Sequence, residues 1–203
     1  MNTAVLILAA GAASRFGSLK QLALIDGKPM LQHCIDTANS LFPDAVYTVL
    51  GNQSQQVIDG ISGTHVIINP QWQRGLGSSI AAGTAYLQDH FDAILILLAD
   101  QPRIKRHHLD QLIGLFKGEQ VACSQYSSHL GVPAMFAKPY FTALSELTGD
   151  SGGKVLLESI NPAPKSLVMG NVATDIDYPE DLAAFIQLIE DDRTKRSQII
   201  KNQ

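Results

Sequence analysis

The chain reads as an α/β fold built on a mostly parallel sheet. Segments of strand character alternate with segments of helical periodicity at a spacing of about 10–20 residues, the pattern of βαβ units with right-handed crossovers. Thr3–Ala10 (TAVLILAA) and Ala93–Leu98 are apolar without a break, as strands covered on both faces require. A loop of Gly, Ser and Arg follows the first of these runs, where an open parallel sheet places its ligands.

The elements follow in order. After the Thr3–Ala10 strand and its loop, Met30, Leu31, Cys34, Ile35, Ala38 and Leu41 recur at helical spacing, so Met30–Leu41 is read as a helix with Pro29 suited to its first turn. Ala45–Leu50 is a strand, Ser54–Ile61 a short helix and His65–Ile68 a third strand. Ser78–Leu87 is helical with glycines just before it. Ala93–Leu98 is the most apolar strand, and Arg106–Phe116 the next helix. Beyond Gln120 the pattern weakens. Val121–Ser124 and Ala134–Phe136 read as strands, and Tyr140–Leu147 and Lys154–Ile160 as helices. Leu167–Met169 and Thr174–Ile176 read as short strands before a helix over Pro179–Ile189. Residues 1–190 are taken as a single domain and 191–203 as a polar C-terminal tail of mixed charge, either a fraying helix end or a solvated segment.

Composition narrows the function. The 203 residues suit one α/β domain, and 45% hydrophobic with 17% charged residues is ordinary for a globular enzyme. A net charge of −4 speaks against a broad nucleic-acid surface. No signal peptide precedes the first strand, and no run reaches the ~18 apolar residues of a membrane helix, so a cytoplasmic location with no membrane partner is expected. Cys34 and Cys123 are in no CxxC pair and read as buried, reduced thiols.

Four segments carry chemistry. The first is LAAGAASRFGSLK, residues 8–20, directly after the first strand. A triphosphate needs backbone N–H groups that can approach closely, hence small residues, and cations to offset its charge, which Arg15 and Lys20 can supply. It is neither a Walker A loop nor GxGxxG. The second is LLADQP, in which an apolar strand ends at Asp100. That carboxylate is placed either to hold Mg²⁺ or to cap the next helix. The third is TDIDYPEDL. Pro179 opens a helix whose first turn favours Glu180 and Asp181, and Asp175 and Asp177 alternate about Ile176, so either could be a second Mg²⁺ ligand. Asp177 could equally cap that helix. The fourth is RGLGSSI, residues 74–80, where a loop enters a helix with free N–H groups at its start. Ser78 and Ser79 can bond a base edge or a phosphate there, and Ser78 can also serve as a plain N-cap.

The set LAAGAASRFGSLKQL, NPQW…GLGSSI, LLADQP, GVPAMF, GDSGGKVLL and DIDYPEDL resembles the molybdopterin-nucleotidyltransferase-like branch of the NTP-transferase superfamily, and within it the molybdenum cofactor cytidylyltransferases. The resemblance runs from about Thr3 to Phe185. It implies a three-layer αβα sandwich, GT-A-like and Rossmann-related. It implies that Ala9, Ala10, Gly11, Arg15 and Lys20 form the triphosphate loop, and that Ser78 and Ser79 form the base-binding turn. It further implies that Asp100 and Asp177 hold one Mg²⁺. Ala10, where guanylyl-transferring relatives carry a second glycine, and the GLGSSI turn point to CTP over GTP. The implied acceptor is the molybdenum cofactor, with a molybdoenzyme as possible recipient. The chain departs from cytidylyltransferases of this group at Gly131-Val132-Pro133, where Gly-His-Pro is common, and at Gly153-Lys154, where Ala-Arg is common. Both segments would face the acceptor. The expected reaction is in-line attack of an acceptor phosphate on the α-phosphorus of the NTP with release of pyrophosphate. Two rivals remain: another phosphorylated acceptor, such as a sugar phosphate or methylerythritol phosphate, or a non-catalytic chaperone of the cofactor.

Overall fold

The structure, a computed structural model, describes residues 1–127, 129–150 and 152–201. Ser151, within the GDSGG run, and Asn202 and Gln203, at the end of the expected tail, lie outside the described residues.

In chain order the elements are β1 (Thr3–Leu8), β2 (Leu24–Ile25), β3 (Lys28–Pro29), α1 (Met30–Asn39), β4 (Val46–Leu50), α2 (Ser54–Asp59), β5 (His65–Ile68) and α3 (Leu76–Leu87). There follow β6 (Ala93–Leu98), α4 (Arg106–Leu115), β7 (Ala122–Gln125), β8 (Leu130–Ala137), α5 (Phe141–Ser145), α6 (Gly152–Ser159), β9 (Lys165–Val168) and α7 (Pro179–Lys201). Seven strands form one sheet in the order β5-β4-β1-β6-β8-β7-β9. Neighbours are parallel except at β8, which runs against both β6 and β7. The expected mostly parallel α/β fold is therefore what the chain forms.

The three layers follow from side-chain alternation along each strand. Val5 and Ile7 of β1, with Leu95 and Leu97 of β6, pack against Leu31 and Ile35 of α1 and Leu109 and Leu112 of α4. Leu6 and Leu8, with Ile94 and Ile96, pack on the other face against Ile80 and Leu87 of α3, Leu144 of α5 and Leu157 of α6. A small satellite core of Phe16, Ile25, Met30, Ile176 and Phe185 ties the first loop to α7.

Several expectations are corrected. The strand read at Ala134–Phe136 begins at Leu130 and is antiparallel, and a register shift at Cys123/Ser124 lets it pass β7. Its direction depends on partners distant in sequence, which periodicity does not encode. Thr174–Ile176 forms no strand. Ile176 donates one backbone bond to Asp100 O at 2.9 Å and drives its side chain into the satellite core. Pro29 ends β3 and caps α1 from outside rather than entering its first turn. The final helix runs on from Ile189 to Lys201, with Arg193 bonded to both carboxylate oxygens of Asp26 at 2.6 and 3.0 Å. Among the described residues no helix is long and apolar enough to cross a membrane.

Candidate active site

Because β1 and β6 pair in parallel with Leu8 opposite Leu98, their carboxyl ends emerge side by side. Strand order reverses here: the chain leaves β1 for β4 and β5 on one side, then returns to place β6 on the other. That is where a parallel sheet opens a ligand crevice. A cleft of about 570 Å³ lies there, lined among others by Ala9, Ala10, Gly11, Arg15, Lys20, Ser79, Asp100 and Asp177. Sequence reading missed the residue that shapes its entrance. Gln21, buried, donates from Nε2 to Ala9 O at 2.9 Å and Gly11 O at 3.0 Å, which pins the loop's carbonyls inward. Gly11 itself has open space around the position of a Cβ, so the protein's own packing does not demand a glycine there. An open backbone on a cleft wall suits close approach by a ligand. Ala13 holds φ at 50°, a left-handed conformation that costs a residue with a Cβ about 1–2 kcal/mol.

The expected charged residues meet. Lys20 Nζ donates to Asp100 Oδ2 at 2.7 Å, to Asp177 Oδ1 at 2.9 Å and to Ile176 O at 3.1 Å. Burial works against the ammonium charge, yet Asp100 and then Asp177 outweigh it and hold Lys20 above the usual lysine range. Arg15 stands further out, 3.9 Å from Asp177 Oδ2. Asp100 does not cap the following helix, since α4 starts at Arg106 with Lys105 as its cap. Nor does Asp177 cap α7. Asp181 Oδ2 accepts from the backbone N–H groups of Asp177 and Tyr178 at 3.0 and 2.8 Å, leaving the Asp177 carboxylate to the cleft.

The donor set fits a hard divalent cation. Asp100 and Asp177 converge on a single positive centre, and Asp100 Oδ1 is buried with no hydrogen-bond partner among the described residues. Mg²⁺ commonly takes one or two carboxylates and completes its shell with phosphate oxygens and water. Among the described residues no group of three or more His, Cys, Asp or Glu side chains could hold a metal; Asp100 and Asp177 form a pair of carboxylates. Asp175 and Asp177, expected on one side of an extended segment, part company. Asp177 faces Lys20, while Asp175 accepts from Gln101 Nε2 at 2.8 Å and lines a second cavity.

The two serines also separate. Ser79 lines the cleft. Both are buried; Ser78, which does not line the cleft, donates to Gly75 O at 2.8 Å or Gln71 O at 3.0 Å. The free N–H groups expected at the start of α3 are taken: Leu76 N reaches Asp150 Oδ1 (3.2 Å), Gly77 N reaches Gly149 O (2.8 Å) and Ser78 N reaches Gly75 O (3.1 Å). The contact between this turn and residues 148–150 is close. A Cβ on Gly75 would lie 2.4 Å from Asp150 Oδ1, and one on Gly77 would lie 2.8 Å from Gly149 O.

The second cavity, about 360 Å³, shares Leu76, Leu98 and Asp150 with the cleft and continues over Ile80, Ile96, Phe136, Leu144 and Leu157. Gly131, Val132, Gly153 and Lys154 line it, which places both departures from the cytidylyltransferase pattern on its wall. Tyr126 closes one side, its hydroxyl donating to Val132 O and burial pushing its pKa up to about 12. Neither cysteine takes part. Burial pushes Cys34 up to about 12 and Cys123 up to about 11, so both remain thiols.

The family model for the MobA-like NTP transferase domain matches residues 5–164. The bifunctional protein GlmU of Alcanivorax borkumensis is 35% identical over 116 residues, 56% of this chain and 25% of that protein. The match therefore spans about a quarter of the length of such curated relatives. Rv0371c of Mycobacterium tuberculosis superposes with a TM-score of 0.82 at 25% identity, covering 92% of this chain and 98% of that one, and the same protein has been solved in complex with manganese. The molybdopterin-guanine dinucleotide biosynthesis protein A of Archaeoglobus fulgidus shares the fold, with a TM-score of 0.66 at 17% identity over 92% of this chain and 98% of that one.

Proposed function

The chain belongs to the MobA-like NTP transferase family, and from that premise we propose that it moves a nucleoside monophosphate from an NTP, CTP by preference, onto a small phosphorylated acceptor. The observation that carries this reading is the convergence of Asp100 and Asp177 on one cationic centre beside an open glycine loop. Asp100 and Asp177 would hold Mg²⁺, which when bound neutralises triphosphate charge and polarises the reacting phosphate. Manganese in the Mycobacterium tuberculosis relative is in keeping with a divalent ion on this fold. Lys20 would exchange its carboxylate partners for phosphate oxygens, and Arg15, exposed at the mouth, would reach the leaving pyrophosphate. The acceptor's phosphate, already ionised, attacks the α-phosphorus in line as the bond to pyrophosphate breaks. No side chain need act as general base, and holding the two phosphates in line supplies much of the rate.

The adjoining cavity suits the acceptor because it meets the cleft at Leu76, Leu98 and Asp150. The resemblance in sequence names the molybdenum cofactor as that acceptor and a molybdoenzyme as its recipient. Ala10 beside the loop narrows the space for the base and favours a pyrimidine. The test is a panel of CTP, GTP, ATP and UTP against molybdopterin, a sugar phosphate and methylerythritol phosphate, read by pyrophosphate release with Mg²⁺ present. Release with CTP and molybdopterin supports the reading in full. Release with GTP favoured moves the base assignment, and none with any pair sinks the enzymatic reading in favour of a chaperone.

A further inference from the structure

We infer that Asn69 is a positioning residue for the nucleotide base: its buried amide fixes the Ser79 hydroxyl as a donor into the cleft, so that this end reads an acceptor atom on the base edge. The inference rests on the nucleotidyl-transfer reading of the same cleft.

Asn69 follows β5 directly and is 3% exposed. A buried primary amide must have both ends satisfied, or folding leaves a desolvated polar group without a partner. Here both are. Asn69 Oδ1 accepts from Gln71 N at 2.9 Å, and Nδ2 donates to Ser78 Oγ at 3.0 Å and Ser79 Oγ at 3.1 Å. Turning the amide over would set its nitrogen against the Gln71 N–H, so the bond network assigns the orientation.

The consequence differs for the two serines. A hydroxyl has one proton and two lone pairs. Ser78 accepts from Asn69 and has its one proton taken by Gly75 O or Gln71 O. Ser79 accepts from Asn69 in the same way, and among the described residues no protein acceptor takes its proton. Ser79 is itself only 3% exposed but lines the cleft wall, so an acceptor on a ligand seated against that wall is the partner left for its proton. The turn is unsuited to a phosphate. The N–H groups of Leu76, Gly77 and Ser78 are already bonded, and the Asp150 carboxylate sits against the helix start. A neutral donor beside occupied amides suits a base edge, and cytosine offers O2 and N3 as acceptors.

Asn69→Asp is nearly isosteric and reverses the polarity of Nδ2. The new carboxylate oxygen would draw the Ser79 proton away from the cleft. The experiment compares the binding of CTP and of tripolyphosphate, which lacks a base, by titration calorimetry on wild type, Asn69→Asp, Ser79→Ala and the double variant. The expected result is CTP binding weakened about tenfold in both single variants, with tripolyphosphate held within about twofold. The double variant should be no weaker than either single one, because both changes remove the same bond. In turnover the loss should appear in KM for CTP while kcat holds. Ser79→Ala adds no charge and leaves the turn's backbone bonds intact, so it keeps the test valid if Asn69→Asp folds poorly. Equal weakening of CTP and tripolyphosphate, additive losses in the double variant, or unchanged CTP binding would each overturn the role of Asn69. A wild-type chain that binds neither CTP, GTP, ATP, UTP nor tripolyphosphate would overturn the reading of the cleft itself.

Discussion

The cleft beside the first loop is walled by Arg15, Lys20, Asp100 and Asp177, whereas the cavity next to it is walled by Ile80, Ile96, Phe136, Leu144 and Leu157. The first is built from loops at the ends of parallel strands, where backbone and charge are available. The second is built between α3, α5, α6 and the antiparallel strand β8, where side-chain shape dominates. Under the proposed reading this divides the work. Charge handles the triphosphate, which every NTP shares, and shape handles the acceptor, by which such enzymes differ.

The sharpest way to break that division is Asp100→Asn. Its carboxylate meets the Lys20 ammonium in the cleft and does not cap a helix, so under the proposed reading turnover should fall by about a thousandfold or more, several kcal/mol of transition-state stabilisation, while the fold survives. Near wild-type pyrophosphate release from a folded variant at ordinary Mg²⁺ would remove Asp100 from the site. Lys20→Ala and Arg15→Ala should each lose roughly a hundredfold in kcat/KM, with little change in melting temperature for the exposed Arg15. On the other side, Val132→Ser at the wall of the second cavity should raise the acceptor's KM about fivefold and leave NTP affinity alone. A change in NTP affinity instead would merge the two cavities into one site.

Asp175 sharpens the boundary between them by pH. Burial, and then the charge of Asp100, raises its pKa above the ordinary carboxylate value. The folded state thus disfavours its ionised form. That penalty is present above the raised folded pKa and fades as pH falls towards the ordinary unfolded value. Asp175→Asn, which keeps an oxygen for Gln101, should raise the melting temperature at neutral pH, with the gain shrinking in acid. A gain that persists unchanged below pH ~4 would assign the effect to packing. The smallest effect belongs to Arg193→Ala. Its exposed pair with Asp26 is worth about 1 kcal/mol or less, to be read by urea denaturation.

How much of this was legible depends on the range of the interactions. β1 and β6 declare themselves because both faces of each are buried, so every residue but Thr3 is apolar. The loop after β1 and Asp100 are legible because strand ends fix where they go. The direction of β8 is set by partners at both edges, and no local pattern carries it. Asp175 and Asp177 were read by strand alternation in a segment held instead by a single backbone–backbone bond from Ile176 to Asp100 O, by side-chain bonds from Lys20 and Gln101 and by the buried Ile176, so the alternation rule had no ladder to act on. Gln21 and Asn69 are single polar residues whose value depends on which backbone folds over them. The signals available were their positions, one directly after Lys20 and the other at the exit of a strand before Pro70.

The contact of Gly75 and Gly77 with residues 148–150 bears on exchange between relatives. It seats a loop from the later part of the chain against the turn that carries Ser79, at separations no side chain can enter. A chimera joining the first part of this chain to the later part of a relative would therefore be decided at this seam more than at the crossover in sequence. The donor must bring a loop whose carbonyl meets Gly77 N and whose acid meets Leu76 N, as Gly149 and Asp150 do. Swaps that carry both sides of the seam together should yield folded hybrids, and those that split it should yield a displaced Ser79 even where every cavity-lining residue is native.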